Sequence, residues 1–203
     1  MYITYLLLAV TILVSVKAFS DEGFKSKLML NPYDVVHHKK WYRCFSHAFI
    51  HADIMHLSFN MYVLFMFGEI TELSFVGLYD NKGYLYFALL YIGGILFSTL
   101  LSIRKHKDNP YYNSLGASGA VSAVVFAYIL LYPKAELGIF PFPFRIPAYI
   151  FGPLILIFEY IMAKRGGSHI AHDAHFAGAI FGVLFVTILD YHILLDFFKQ
   201  FAI

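Results

Sequence analysis

Charge is scarce in this chain of 203 residues: Asp, Glu, Lys and Arg make up 14% of it, against 60% hydrophobic residues. That balance excludes a water-soluble globular domain, in which roughly a quarter of the residues are charged. Cysteine is nearly absent, and the lone Cys44 can neither form an internal disulfide nor hold a metal by itself. Basic excess is also small, because 15 Lys and Arg against 13 Asp and Glu leave a net charge of +2. No nucleic acid is therefore expected as a partner. The apolar opening lacks a signal peptide's basic start and small-residue cleavage site, so Tyr2 to Phe19 reads as a first transmembrane helix. What the chain does have is apolar sequence, with a mean hydropathy of +0.66. At ~20 residues per crossing, that suffices for about six spans and short loops, with no room for a second, aqueous domain.

The expected fold is all-α: one polytopic membrane domain over residues 1–203. A polar stretch from Ser20 to Asp53 is too long for a turn and reads as a structured loop lying at the interface. Further spans are expected at Met55 to Gly68 and on toward Leu73, Tyr84 to Ile103, Leu115 to Tyr132, Ile146 to Ala163, and His175 to Leu195. Between the fourth and fifth, the run from Phe140 to Pro147 removes backbone donors and fixes φ repeatedly, ending one helix and delaying the next.

Parity places the polar residues. The second, fourth and sixth spans run in one direction, so their amino-terminal ends share a face. There lie His51, His56 and Asn60, then Ser118, then His175. At ~1.5 Å per residue, groups one or two turns into a helix sit roughly 5 to 10 Å below the interface. Ser118 lies in Gly116-Ala117-Ser118-Gly119, at a helix start whose unpaired N–H groups favour an oxyanion. A serine hydroxyl needs a base to take its proton, and His175 on the adjoining span is the candidate. Contact between the two requires close helices. Gly119, Ala123 and Ala127 recur every four residues on one span, and Gly178 and Gly182 on the other, which is small-xxx-small patterning. His56 and Asn60 are four apart on one face, positioned to aim donors at a developing oxyanion. A transmembrane serine taken alone usually bonds back to its own helix, and a lone histidine can merely bridge helices. The joint arrangement carries the reading.

These residues resemble the rhomboid intramembrane serine proteases over most of the chain. Trp41-Tyr42-Arg43 resembles the Trp-Arg element of the family's first loop. His51, His56 and Asn60 match its signature on the second helix, continued by Phe67-Gly68 and Glu72. Gly116-x-Ser118-Gly119 matches the nucleophile motif, and Ala174-His175-x-x-Gly178-x-x-x-Gly182 the histidine helix. The resemblance implies a six-helix rhomboid bundle with a Ser118–His175 dyad and no third acid. It further implies an oxyanion hole from Asn60, His56 and backbone N–H near Ser118, a pocket lined by His51, Gly116 and Gly119, and structural roles for Trp41, Arg43, Glu72, Gly178 and Gly182. The implied activity is endopeptidase cleavage of transmembrane protein substrates near the edge of the lipid bilayer, without a cofactor or metal. A lateral gate near the fifth span and the following loop is implied as well.

Two departures matter. Tyr42 separates Trp41 from Arg43, and Ser122 stands where some relatives place an aromatic that stacks on the histidine, so another residue must orient His175. Lys and Arg counting puts the face with the site in the cytoplasm, whereas the resemblance implies the outer or luminal side, which is the orientation adopted. A bacterial inner membrane is the expected location. Metal chemistry is the first rival, motivated by ten histidines and by His169-x-x-His172-x-x-His175. The chain has no His-Glu-x-x-His, and His169 and His172 read as loop residues. The second rival is a rhomboid-like protein that binds membrane helices without cutting them. Glu159 and Asp190 are intramembrane acids left without a role, Glu159 being read as an interfacial partner of Lys164 and Arg165.

Overall fold

A computed structural model describes residues 2–138, 145–165 and 172–201. Helix α1 (Ile3–Ser20) buries Thr4, Thr11, Ser15 and Ala18 and turns Leu6, Val10, Leu13 and Val16 outward. Small and weakly polar residues inside with large apolar ones outside is the arrangement lipid favours, because burial of apolar surface gains nothing against hydrocarbon. Its amino terminus is capped from a distance. The fully buried Glu72 carboxylate accepts from the Ile3 and Thr4 N–H groups at 2.7 and 2.9 Å and from the Thr4 hydroxyl at 2.7 Å.

The polar stretch holds α2 (Glu22–Leu28), α3 (Pro32–His37), α4 (Arg43–Ser46) and a 3-10 turn, His47–Phe49. Asp21 and Asn31 cap α2 and α3, the latter with Pro32 in its first turn. Buried Arg43 ties the loop together, donating to the Met29 carbonyl at 2.7 Å and pairing with Asp34 at 3.3 Å. Asp34 also binds His38 and Lys40, and the hydrogen bond with His38, with the bond and charge of Lys40, holds its carboxyl below the usual range. Trp41 lies outside this network, 59% exposed. Cys44 is buried, and burial raises its thiol pKa.

Helix α5 (Ile54–Tyr79) starts at an Asp53 cap, and α6 (Lys82–His106) and α7 (Ser118–Leu131) follow. Strands β1 (Glu136–Gly138) and β2 (Arg145–Pro147) pair antiparallel, Leu137 opposite Ile146. Helices α8 (Ala148–Arg165), α9 (His172–Leu189) and α10 (Tyr191–Lys199) complete the chain. Most of the Phe140 to Pro147 run lies outside the described residues.

Three expectations need correction. Among the described residues, four helices are long and apolar enough to cross a membrane: α1, α5, α6 and α9. Helix α7 is shorter, at 14 residues, or about 21 Å against a hydrocarbon core of about 30 Å. Helix α8 carries Glu159, Lys164 and Arg165 within its 18 residues. The expected sixth span, α9, ends at Leu189 and not at Leu195, because Asp190 leaves the helical conformation and caps α10 through the His192 N–H at 2.9 Å. Asp190 is thus a helix break and not an acid buried in a span.

Helix α7 is the core. All its residues except Ser118, Ser122 and Leu131 are buried, and its most extensive contact is with α9.

Candidate active site

The loop that delivers Ser118 is clamped from one side. Gly116 adopts φ +121, in the left-handed region that favours glycine, and a Cβ there would lie 2.8 Å from the His56 ring. The Gly116 N–H donates to the His47 carbonyl at 2.9 Å, and the Ala117 N–H donates to His51 Nε2 at 3.4 Å. Just upstream, Ser114 exchanges backbone hydrogen bonds with Leu30 of the polar loop.

The tautomer of His51 follows from its partners. With Nε2 accepting, Nδ1–H faces the Ser15 hydroxyl at 3.0 Å, and that hydroxyl donates to the Phe49 carbonyl at 3.1 Å. His51 is fully buried, and burial drives its pKa down to about 3, so the ring stays neutral. It belongs to the clamp and does not line an open pocket as the sequence suggested. His47 is held likewise. Its Nε2 meets the Thr99 hydroxyl at 2.9 Å, the hydroxyl donates to the Cys44 carbonyl, and burial lowers the ring's pKa to about 4.

Ser118 opens α7, whose first intrahelical bond in the chain runs from the Val121 N–H to the Ala117 carbonyl. The Ser118, Gly119 and Ala120 N–H groups therefore have no partner within the helix. Asn60 is buried and donates to the His56 carbonyl at 2.9 Å, which leaves its second amide N–H. A cavity of about 20 Å³ adjoins Ser118, bordered also by His47, Ser98, Thr99, Ser102 and Ser114. A polar-lined space of that size admits one water.

Two glycines bring α9 onto this helix. A Cβ on Gly178 would overlap the Gly119 carbonyl, and one on Gly182 the Ala123 carbonyl. The contacts advance by four residues on both helices, so the backbones run side by side along the two small-residue stripes. From α6, Ser98 packs against Gly119, and Lys105 pairs with Asp173 at 3.0 Å. Ala174 reaches the same contact through its carbonyl, and His175 follows it. No direct hydrogen bond joins the Ser118 hydroxyl to His175 in this structure.

Glu159 was read from the sequence as an interfacial partner of Lys164 and Arg165. It instead faces α9. Its Oε1 lies 3.2 Å from His175 Nδ1 and its Oε2 2.6 Å from His172 Nδ1. A carboxylate thus stands beside the His175 ring, whereas Ser122 offers no aromatic to stack on it. His172 is the first residue of α9 and is 5% exposed, not a loop residue. One donor atom from each of Glu159, His172 and His175 lies within 4.8 Å of the others, so these residues could hold a metal. His169 lies outside the described residues. No spacing rule on the chain links Glu159 to the two histidines, because the carboxylate arrives on a separate helix.

A polytopic helical membrane protein with a serine and a histidine on two closely packed helices is the class that the fold and site define. Residues 38–192 match the Rhomboid domain, and the chain belongs to the rhomboid family. It is 30% identical over 147 residues to RHOMBOID-like protein 12, mitochondrial, of Arabidopsis thaliana, covering 65% of this chain and 41% of the relative. The Presenilin-associated rhomboid-like protein A, mitochondrial, of Danio rerio is 31% identical over 143 residues, 68% of this chain and 35% of its own length. Its human counterpart, the Presenilin-associated rhomboid-like protein, mitochondrial, is 29% identical over 141 residues, 69% of this chain and 36% of its own. The chain spans well under half the length of these relatives.

Proposed function

We propose that this protein is an intramembrane serine endopeptidase that cuts transmembrane helices near the membrane edge, with Ser118 as nucleophile and His175 as base. The close contact of Gly178 with Gly119 carries the reading, because it brings together the two helices that bear these residues. Glu159 accepts from His175 Nδ1–H and so leaves Nε2 bare to take the Ser118 proton. Serine and imidazole in such sites often close to hydrogen-bond distance only with substrate present.

Attack of Ser118 Oγ on the scissile carbonyl forms the C–O bond as the proton passes to Nε2. The oxyanion develops over the start of α7, where the Ser118 and Gly119 N–H groups are open, with Asn60 and His56 as further donors. The Gly116 and Ala117 N–H groups are committed to the clamp and take no part. The imidazolium then protonates the leaving amine, and water hydrolyses the acyl-enzyme. The cavity beside Ser118 is sized for that water.

A helix about 9 Å shorter than the hydrocarbon core puts its first residue below the interface. Substrates must unwind locally to present an amide there, so helix-weakening residues and a small residue at the cut are expected. The face bearing Ser118 is assigned to the outer or luminal side. A bacterial inner membrane remains the proposed location; the relatives named above are mitochondrial by name, and fractionation decides between the two membranes.

The test is cleavage of a fluorogenic transmembrane-helix reporter by purified protein in liposomes, beside Ser118→Ala and His175→Ala, with and without chelator. Cleavage lost in both variants and not reduced by chelator supports the dyad. A folded wild type that binds several reporters and cuts none overturns it in favour of a helix-binding protein without protease activity.

A further inference from the structure

We propose that Glu159, His172 and His175 form a binding site for a zinc-type divalent cation, and that occupancy of this site switches off His175 as a base. The switching rests on the serine-protease reading above; the binding does not.

The donor set comes first. Two imidazoles and one carboxylate are borderline nitrogen and oxygen ligands, suited to zinc and poorly suited to magnesium or calcium. Both Nδ1 atoms face the carboxylate, at 2.6 and 3.2 Å from its two oxygens. A tetrahedral ion with ligands at ~2.0–2.1 Å needs its donors roughly 3.3 Å apart. The observed spread, within 4.8 Å, contracts to that by small side-chain rotations.

A second observation is the state of His172. Its ring is buried, yet Nε2 has no hydrogen-bond partner among the described residues. A buried polar atom without a partner is costly, and such an atom in a native structure calls for an explanation. The ring is thus held through Nδ1 alone, the atom turned toward the Glu159 carboxylate. Asp173 is committed elsewhere, to Lys105 at 3.0 Å. The fourth ligand would be water, as in sites with three protein ligands.

The consequence for His175 follows from its tautomers. With Glu159 accepting Nδ1–H, Nε2 carries a lone pair. With a cation on the Nδ1 lone pair, the ring proton resides on Nε2, which then cannot accept the proton of Ser118. Neutral imidazole is the metal-binding form in both rings, so the ligation needs only this shift within each ring. The same nitrogen is thus either the hydrogen-bond donor that arms the base or the ligand that disarms it.

The experiment uses the full chain in detergent with cobalt(II) as a spectroscopic probe and zinc as the competitor, beside magnesium. Wild type and Ser118→Ala are expected to give the intense visible bands of tetrahedral cobalt(II) at one equivalent, removed by zinc and not by magnesium. His172→Gln and Glu159→Gln should each weaken binding at least roughly tenfold. Thermal melts recorded without metal establish that the variants are folded, and His172→Asn serves where His172→Gln is not. Absence of these bands in wild type, or equal binding by folded variants, overturns the site. Reporter cleavage, each protein scaled to its own rate in chelator, then tests the switch: zinc should inhibit wild type at least tenfold and His172→Gln much less. Equal inhibition of both overturns the switch. A cobalt spectrum that depends on His172, in a protein that never cleaves, supports the site while it refutes the protease reading.

Discussion

Gly178→Ala puts the central contact to a direct test. A Cβ at this position would stand 2.7 Å from the Gly119 carbonyl carbon and 3.0 Å from its Cα, with the carbonyl oxygen nearer still. All three are backbone atoms, so no side chain can swing aside. Ordinary contact begins at 3.4 Å, which requires α9 to retreat from the nearest of these atoms by about 1.5 Å. Overpacking of this kind costs about 1 to 3 kcal/mol. Because Ser118 and His175 flank the contact, the same retreat separates the proposed nucleophile from the proposed base, and misplacement by about 1 Å can lower a rate roughly a hundredfold. Gly77→Ala is the control, since nothing lies within 4 Å of a Cβ at that helical position. It should leave cleavage intact and add up to about 1 kcal/mol of stability. Reporter kinetics and thermal unfolding read both variants. Equal cleavage by a folded Gly178→Ala and by Gly77→Ala would refute the idea that this backbone contact sets the site.

Three further outcomes are expected. Stability in detergent should fall as pH drops below about 6.5, because His47 and His51 stay neutral when folded but protonate when unfolded; their lowered folded values, about 4 and about 3, place the loss on the acid side. At pH 5.5 it should reach about 1.4 kcal/mol for each ring and about 3 kcal/mol together, and a pH series of unfolding curves that stays flat from 7.5 to 5.5 would contradict it. Glu159→Gln can present an amide donor to His175 Nδ1 and favour the wrong tautomer, so kcat should fall roughly 10- to 100-fold with KM nearly unchanged; a pure KM effect would assign Glu159 to substrate binding. Orientation is best read from Tyr111→Cys, a position 90% exposed on the loop before α7, with the native Cys44 silent because it is buried. Labelling by an impermeant reagent in intact cells fits the proposed orientation, and labelling only after lysis reverses it.

Periodicity and small-residue spacing made α7 and α9 legible, because backbone approach in lipid depends on residues without side chains at every fourth position. The glycines that mark the stripes are the ones that touch. The position of Ser118 was legible for a similar reason, because Gly116 precedes a helix start. The histidines around the start of α5 were harder. His47, His51 and His56 look alike in sequence, and only the partners of each ring separate the clamp from the site. Glu159 was misplaced because an acid near Lys164 and Arg165 satisfies charge counting, whereas its real partners depend on how α8 packs against α9. The break at Asp190 was hidden within apolar sequence on both sides, where its capping bond could not be seen.

Helix α8 fully buries only Ala148 and Gly152 among its described residues, with Phe151, Ile155 and Leu156 packed in part against the core, and the polar grip between Glu159 and the two histidines adds to that hold. Coupling of that kind is reciprocal. Whatever free energy the grip contributes to seating α8 is also the free energy that aligns His175, and a guest helix that prises α8 away must draw on both at once. On the proposed protease reading, entry and proton transfer would be bound into one equilibrium: a substrate that left α8 seated would meet an armed base, while one that displaced it would meet an imidazole free to turn.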